Sequence, residues 1–201
     1  MNYVKKLEGE KVIFSPIEKS EARKYMAWYN DFEIGFFTGT QDLLITEEDE
    51  LETLEKLSKS GYLFTILDKD TKTPIGNCGI HQINWVNRTA EIGINIGHKS
   101  YWNKGFGTES TVLLLAFAFH ILNLNNVMLR VLECNPRAIH IYEKVGFTLI
   151  GRRREVVNVA NEKFDMLYFD ILNEDFKADI IKELIQKYKS ADKNLNKISL
   201  M

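Results

Sequence analysis

Residues 91–122 decide the fold, and they read EIGINIGHKSYWNKGFGTESTVLLLAFAFHIL. Isoleucine occupies every second position over 92–96, which is the period of a half-buried strand. Gly97 follows directly, and glycine permits a bulge or a positive φ that would bend the strand away from its neighbour. A glycine-containing loop comes next. The apolar segment after that loop predicts a helix over 109–122.

The loop between this strand and this helix has the composition of an anion site. A helix N-terminus presents backbone N–H groups and a partial positive charge, and both favour phosphate oxygens. Gly105 and Gly107 would let the backbone approach the anion without an intervening Cβ, and Lys104 adds a charge. The spacing fits neither the P-loop nor the dinucleotide fingerprint. On the loop alone, a helix start with flexible glycines is an equal alternative.

A second motif lies at residues 135–147, which read NPRAIHIYEKVGF. Asn135 is a favoured N-cap, and Pro136 occupies the helical position that best tolerates proline. Gly146 is placed to end the helix as a C′ glycine. The motif therefore predicts a short helix with a signal at each end.

In combination and in this order, the two motifs resemble those of the GNAT superfamily of acetyl-CoA-dependent N-acetyltransferases. The matching pieces are IGINIG at 92–97, YWNKGFGTE at 101–109 and AIHIYEKVGF at 138–147. The resemblance extends over residues 11–172 and is nearest to the branch of ribosomal-protein N-terminal and polyamine acetyltransferases. It implies the GNAT fold, an α/β (α+β) fold with a mixed, mostly antiparallel twisted sheet. In that sheet two central parallel strands splay apart, and helices flank the sheet.

The resemblance also implies a site for acetyl-CoA as co-substrate. If the parallel strands separate after Gly97, the pantetheine arm can pair with the backbone of Ile94 and Ile96, while the pyrophosphate lies on the glycine loop. Asn135 would contact pantetheine, and the small side chain of Ala138 would leave room for the cofactor on the helix face that meets it. The predicted cofactor-binding residues are Ile94, Ile96, Gly97, Trp102, Asn103, Lys104, Gly105, Phe106, Gly107, Thr108, Asn135 and Ala138.

Tyr142 is the predicted general acid, because the family carries a tyrosine on this helix whose hydroxyl approaches the thioester sulfur. A tyrosine pKa of about 10 keeps the hydroxyl protonated at neutral pH, so that it can donate to a departing thiolate. The alternative is a packing tyrosine. Glu91 is the predicted base, since relatives often have a carboxylate there that draws a proton from the amine through water. A salt-bridged acid at the strand end is its equal alternative. His81 and His98 are titratable groups near the predicted cleft but belong to no recognised motif.

The rest of the pattern predicts the sheet. Strands are expected at 10–17, 62–67, 74–80, 90–96, 126–133, 147–151 and 164–172. The strands between 62 and 96 form an antiparallel meander, and 126–133 lies parallel to 90–96 because a helix crosses over between them. The last two close the sheet as a hairpin. Arg152 and Asp165 would form a cross-strand ion pair in it, with a role in acceptor binding as the alternative.

The N-terminal half would cover the acceptor side of the cleft, as it does in the family. A helix is expected over 18–30, followed by a mobile loop at 36–40 of the kind that carries specificity. Thr46 precedes an acidic run and is a typical N-cap, which predicts a helix to about residue 58. Its carboxylates form a solvated face or, as a sharper alternative, a polyamine-binding surface, for which a subunit interface is one location.

Length and composition bound the class of protein. With 201 residues, 45% hydrophobic and 27% charged, the chain fits a globular protein. A single N-acetyltransferase domain is expected over 1–189, ending in a helix over 173–189, and a polar, disordered tail over 190–201. A net charge of -2 argues against a nucleic-acid partner. No apolar run reaches a membrane span and no signal peptide is evident, so we expect a cytoplasmic protein without a membrane partner. Cys78 and Cys134 are expected to be buried free thiols, and too few Cys and clustered His are present for a metal site.

Two classes of function follow. The first is an acetyl-CoA-dependent N-acetyltransferase that moves the acetyl group to a primary amine by direct attack on the thioester. Its acceptor would be a protein or peptide N-terminus or a small amine, with spermidine, other polyamines and antibiotic amines as alternatives. The second is a non-catalytic acyl-CoA-binding regulatory module. The loop glycines and Tyr142 favour the enzyme, while the sequence does not fix the oligomeric state, for which a homodimer is one option.

Overall fold

The computed structural model describes residues 3–181, 183, 185 and 186. The strands are β1 (Leu7–Glu8), β2 (Val12–Pro16), β3 (Tyr62–Asp68), β4 (Pro74–Asn84), β5 (Thr89–Asn95), β6 (Asn126–Leu132), β7 (Thr148–Val159) and β8 (Glu162–Leu172). The helices are α1 (Ala22–Tyr29), α2 (Phe32–Thr38), α3 (Glu47–Ser60), α4 (Phe106–Ala116) and α5 (Pro136–Val145). Short 3₁₀ turns lie at Lys19–Glu21 and Lys99–Tyr101, and a π-helical turn at Phe117–Ile121 continues α4.

The eight strands form one sheet in the order β1-β2-β3-β4-β5-β6-β8-β7. Neighbouring strands are antiparallel except β5 and β6, which are parallel because α4 crosses over between them. This arrangement confirms the predicted fold class, a mostly antiparallel mixed sheet with one central parallel pair and flanking helices.

The parallel pair separates earlier than expected. Its register pairs Thr89 with Asn126, Ala90 with Val127 and Glu91 with Met128, and it extends no further in the described chain. The expectation that the strands part after Gly97 was therefore wrong by six residues, the distance from Glu91 to Gly97 along the chain. The reason is that each strand follows its outer neighbour: β5 stays paired with β4 to its end, and β6 stays paired with β8. The divergence opens a V-shaped gap beyond Glu91.

Helices cover both faces of the sheet. On one face lies α4, whose Leu113, Leu114 and Leu115 are completely buried in the main core. On the other face α1 and α3 enclose a smaller cluster that includes Tyr25 and Leu54. The two faces alternate along β5, since successive side chains of a strand point in opposite directions. The position of α4 and α5 relative to the gap decides which groups can line it.

One predicted loop is a helix. Residues 36–40 were expected to be mobile, but Phe36–Thr38 belong to α2 and only Gly39 ends it, in the left-handed conformation with φ 76°. The Asp31 side chain caps this helix by accepting hydrogen bonds from the N–H groups of Glu33 and Ile34. The Phe36 ring also packs edge-on against Phe164 of β8, with ring centroids 5.2 Å apart. A cap five residues upstream and a distant ring contact decide the structure here.

Other boundaries shift for local reasons. The crossover helix begins at Phe106 rather than residue 109, because Gly105 already serves as its N-cap with φ 87°. The hairpin is longer than expected, and β1 was missed because it has only two residues. At the predicted cross-strand pair, Arg152 Nη1 lies 3.0 Å from Asp165 Oδ2, which confirms it.

The C-terminal prediction is correct only in part. Residues 173–175 form a turn and 176–179 are not helical; helix is described at 180, 181, 183, 185 and 186. Phe176 is buried against Phe119, with ring centroids 5.5 Å apart, and this contact fixes the chain before the helix starts. The remainder of the predicted helix and the predicted tail over 190–201 lie outside the described residues.

Candidate active site

A cavity of about 580 Å³ lies at the end of β5, beyond its last pair with β6. Its walls come from α2, the end of β5, the loop before α4, the first turn of α4, and α5. Of the residues predicted to bind cofactor or to act in catalysis, the following line it: Ile94, Ile96, Trp102, Asn103, Gly105, Gly107, Thr108, Asn135, Ala138 and Tyr142. The predicted residues outside this lining are Glu91, Gly97, Lys104 and Phe106.

The glycine loop presents the start of α4 to the cavity. Gly105 has φ 87°, a left-handed conformation in which glycine pays no Cβ penalty. The N–H groups of the first turn of a helix have no intrahelical acceptor and therefore point at whatever lies in front of them. A Cβ added at Gly107 would lie 3.0 Å from Ile141 Cδ1 of α5, so the glycine keeps the floor of the cavity open. Such a helix start is a site of the kind that binds phosphate oxygens.

The same loop is supported from behind by β2. Glu109 of α4 accepts hydrogen bonds from the backbone N–H groups of Lys11 (2.8 Å) and Val12 (3.3 Å). In return, Lys11 Nζ donates to the carbonyl oxygen of Lys104 at 3.2 Å. These contacts hold the first turn of α4 and the loop in one position, as an anion site made of backbone groups requires.

Trp102 occupies the rim of the gap and changes the expected cofactor contacts. Its indole Nε1 donates to the carbonyl oxygen of Ile96 at 2.6 Å. That carbonyl was expected to pair with the pantetheine arm, so Trp102 competes for this role at the outer end of β5. The backbone of Ile94, deeper in the gap, lacks a β6 partner and is the better candidate for such pairing.

Two further cavity residues were missed by sequence reasoning. Arg137, in the first turn of α5, places its Cζ 3.8 Å from the Trp102 ring centroid and 4.9 Å from that of Phe37 in α2. The guanidinium thus joins three separate elements across the mouth of the cavity by cation–π contacts. Its position inside the NPRA motif was the available signal, whereas Phe37 lies in the segment 36–40 that was expected to carry specificity, but as part of a helix and not of a loop.

Tyr142 is almost completely buried, at 9% exposure, and lines the cavity from α5. Its ring packs against Phe147, with centroids 5.8 Å apart. Burial raises the pKa of its phenol to about 12, because a phenolate would be poorly solvated there. The hydroxyl is therefore a proton donor at all physiological pH values, as a general acid for a thiolate must be.

Glu91 lies at the last paired residue of the parallel strands and is 9% exposed. Its Oε1 accepts a hydrogen bond from Arg130 Nε of β6 at 2.7 Å. Glu91 therefore forms the salt bridge that was expected as the alternative to its role as a base. His81 of β4 lies directly opposite Glu91 in the antiparallel register. His98 is exposed, with Nδ1 3.0 Å from Ser100 Oγ.

Gly97 is required for a reason other than the expected bulge or positive φ. Its φ is not among the positive values found in the described chain. Instead, a Cβ added there would lie 2.1 Å from Cδ2 of Trp28, the indole of which covers the end of β5 from α1. The glycine makes room for this aromatic ring.

We therefore expect Gly97→Ala to lower stability by about 1–3 kcal/mol, the usual cost of overpacking. For a chain of this size the change corresponds to a fall in Tm of about 2–12 °C, which thermal unfolding measures. Gly151→Ala is the matched control, because a Cβ there meets nothing within 4 Å. Equal Tm values for the two variants would contradict the packing role of Gly97.

The acidic helix α3 begins as predicted, with Thr46 and Asp49 forming a capping box. Several of its acids are engaged within the protein: Glu47 with Arg23 at 2.9 Å, and Glu55 with Lys19 and Lys59. Glu50 is buried, which raises its pKa to about 7. The local pairing reduces the field that α3 can offer to a polycation.

The described residues contain neither a metal-binding cluster nor a membrane-spanning helix. Among them, no three His, Cys, Asp or Glu side chains are grouped so that they could hold a metal ion. Within the same part of the chain, no helix has both the length and the apolar character that crossing a membrane demands. Cys78 is buried and Cys134 half-buried, and both are free thiols.

Comparisons with known proteins identify the class. The family model described as an acetyltransferase (GNAT) domain matches residues 11–148, so the chain belongs to the GNAT acetyltransferases. The uncharacterized N-acetyltransferase p20 of Bacillus licheniformis is 26% identical over 174 residues, which are 85% of this chain and 97% of p20. The spermidine N(1)-acetyltransferase of Vibrio cholerae is 34% identical over 105 residues, 51% of this chain and 60% of that protein.

A solved structure agrees with this assignment. The spermidine N-acetyltransferase of Vibrio cholerae in complex with CoA and spermine matches with a TM-score of 0.76 and 25% identity. The match covers 83% of this chain and 98% of that one. The predicted superfamily and the enzyme class are thereby confirmed, and the similarity to a polyamine acetyltransferase is consistent with the predicted branch.

Proposed function

We propose that this chain transfers the acetyl group of acetyl-CoA to a primary amine by direct attack of the amine on the thioester. The observation that carries the proposal is one cavity at the end of β5, beyond the last pair with β6. It combines an anion-binding helix start at Gly105, unpaired strand backbone at Ile94 and the buried phenol of Tyr142. Membership of the GNAT family supports the use of acetyl-CoA.

The residues divide the work along the cavity. The N–H groups of Gly107 and Thr108 would hold the diphosphate, and Asn135 and Ala138 would face the pantetheine arm. Asn135 Oδ1 already accepts from the Ala138 N–H at 3.2 Å, so a pantetheine contact would come from the amide nitrogen of Asn135. The thioester would then lie toward the narrow end of the gap, near Glu91. A backbone N–H of β5 there would stabilise the oxyanion.

Tyr142 would protonate the leaving thiolate, and Glu91 would act in removing the proton of the incoming amine. Both assignments are proposals drawn from the family pattern and from the placement of these residues at the cavity and at its narrow end.

For the acceptor we propose a primary amine of broad type, including a peptide N-terminus. The internal pairing of the α3 acids supports this choice over a dedicated polycation site. Spermidine is the second candidate, favoured by the similarity to the Vibrio cholerae spermidine N(1)-acetyltransferase. The free thiols fit the proposal of a cytoplasmic enzyme. A homodimer stays a prediction, and size-exclusion chromatography with light scattering would test it.

The proposed function is tested by thiol release from acetyl-CoA with a panel of amines. We expect release to depend on an added amine, and mass spectrometry to detect the acetylated amine. Thiol release at the same rate without amine, or none with any amine, would contradict the proposal. In the second case, binding of acetyl-CoA in calorimetry would favour the regulatory module.

A competition experiment decides between acceptors. Spermidine and a peptide beginning with alanine or serine are supplied at equal concentration, and we expect the peptide to be acetylated at least as fast. Strong preference for spermidine that falls when Glu47, Glu48 and Asp49 are neutralised would establish the polyamine alternative instead.

A further inference from the structure

A cluster of three titratable or charged side chains lies across β4, β5 and β6, at the point where the gap opens. Glu91 is bound to Arg130 at 2.7 Å, and His81 is its direct cross-strand neighbour. Opposed residues of an antiparallel pair have Cβ atoms about 5 Å apart. Glu91, occupied by a guanidinium and nearly buried, is poorly placed to meet an amine itself. Of His81 and Glu91, the half-buried His81 is the more exposed.

The imidazole of His81 lies over Gly93 of β5, a strand position that has no side chain. A Cβ added at Gly93 would be 3.1 Å from Nε2 of His81 and 3.7 Å from its Cε1. Glycine inside a strand costs stability, so its presence in β5 calls for a cause. Here the cause is the room that the ring needs. The Nε2 edge of the imidazole thus lies over β5, two residues from Glu91 and beyond the last parallel pair.

This position adjoins the cavity. Gly93 and Asn95 project from the same face of β5, and residues two apart in a strand are separated by about 7 Å. Asn95 lines the cavity, and the His81 ring lies over the preceding position on this face, Gly93, just outside the lining. The imidazole is therefore a titratable group beside the cavity on this face of β5.

We propose that His81 accepts the proton that the acceptor ammonium must lose, and that Glu91 positions the imidazole and stabilises its protonated form. This inference rests on the proposed acetyltransferase function. One ammonium N–H bond breaks as an N–H bond forms at His81 Nε2, and the freed lone pair attacks the thioester carbon. The C–S bond then breaks. The remaining excess proton of the attacking nitrogen replaces the one that Tyr142 gives to the thiolate, and the proton on His81 passes to water.

The electrostatic surroundings agree with this role. Burial lowers the pKa of His81, the charge of Glu91 raises it, and Arg130 lowers it. The imidazole is therefore neutral and able to accept a proton at neutral pH. On its β3 side, the part of β4 that carries His81 faces Gly61 and Leu63, and neither residue is charged. Glu91 is then the group whose charge favours the imidazolium once it has formed.

The test replaces His81 by glutamine, which keeps a polar side chain of similar size but cannot take up a proton. With an accepted amine at pH 7 we expect kcat to fall about 10²- to 10⁴-fold, the range of general base catalysis. The KM for acetyl-CoA and the Tm should stay near their wild-type values. The deficit should shrink as the pH approaches the pKa of the amine, because the solution then supplies the neutral amine.

A second variant tests the placement of the ring without touching it. Gly93→Ala puts a Cβ 3.1 Å from Nε2 of His81, a close contact that shifts the ring, and we expect it to lower kcat with the KM for acetyl-CoA unchanged. His98→Gln is the matched control, an exposed imidazole outside the cluster, and should retain wild-type kcat.

The outcomes separate the inference from the proposed function. If wild-type protein acetylates no amine, the proposed function fails and the inference falls with it. If wild-type protein is active and His81→Gln retains its kcat at pH 7, the inference alone is overturned. A loss of kcat that is equal at every pH would also overturn it, because that result describes a structural role.

Discussion

Gly105→Val is expected to raise the KM for acetyl-CoA by about 10- to 100-fold. Gly105 has φ 87°, and a β-branched residue held in the left-handed region costs on the order of 1–3 kcal/mol. The chain escapes this cost by turning the loop, which moves the first N–H groups of α4 away from the diphosphate. A loss of about 1.4–2.8 kcal/mol of binding corresponds to the stated range. Steady-state kinetics at saturating amine, with calorimetry of acetyl-CoA binding, measure the effect.

The control must carry the same backbone strain elsewhere. Gly39 has φ 76° at the end of α2, and a Cβ there meets nothing within 4 Å. Gly39→Val should therefore lower the Tm while leaving the KM for acetyl-CoA near the wild-type value. A folded Gly105→Val protein with an unchanged KM would show that the glycine loop does not bind the diphosphate.

The glycine loop illustrates what the sequence could predict. Its function depends on residues next to one another in the chain: a strand, two glycines and a helix start. Local rules for caps and backbone conformation therefore sufficed to place the loop at a cavity, and Asn135 caps α5 as its motif predicted. The antiparallel meander, the parallel pair and the closing hairpin followed from the same local patterns and the crossover rule.

The rest depended on contacts between distant residues. The ion pair of Glu91 with Arg130 joins residues 39 positions apart, and only the parallel register brings them together. The role of Gly97 is set by Trp28 from another helix, and the two rings around Arg137 come from α2 and the glycine loop. Periodicity carries no information about such pairs, because it reports which face a residue occupies and not what lies opposite.

Tyr142→Phe is expected to lower kcat about 10- to 1000-fold, with little change in the KM for acetyl-CoA. The substitution keeps the ring that packs on Phe147 and removes only the proton donor from the cavity wall. A loss confined to kcat describes a group that acts in the transition state rather than in binding. Amine-dependent thiol release, measured at saturating concentrations of both substrates, gives kcat directly.

The pH dependence sharpens this prediction. Burial raises the pKa of the phenol to about 12, so the wild-type enzyme keeps its acid protonated as the pH rises from 6 to 10. The ratio of wild-type to variant kcat should therefore be constant across that interval. Tyr25→Phe is the matched control. The hydroxyl of this buried tyrosine is hydrogen-bonded to Thr65 Oγ1 at a distance of 2.6 Å, and Tyr25 does not line the cavity. Its substitution should therefore affect Tm but not kcat. If Tyr142→Phe turns over at the wild-type rate, the phenol serves packing alone, and the thiolate must take its proton from water.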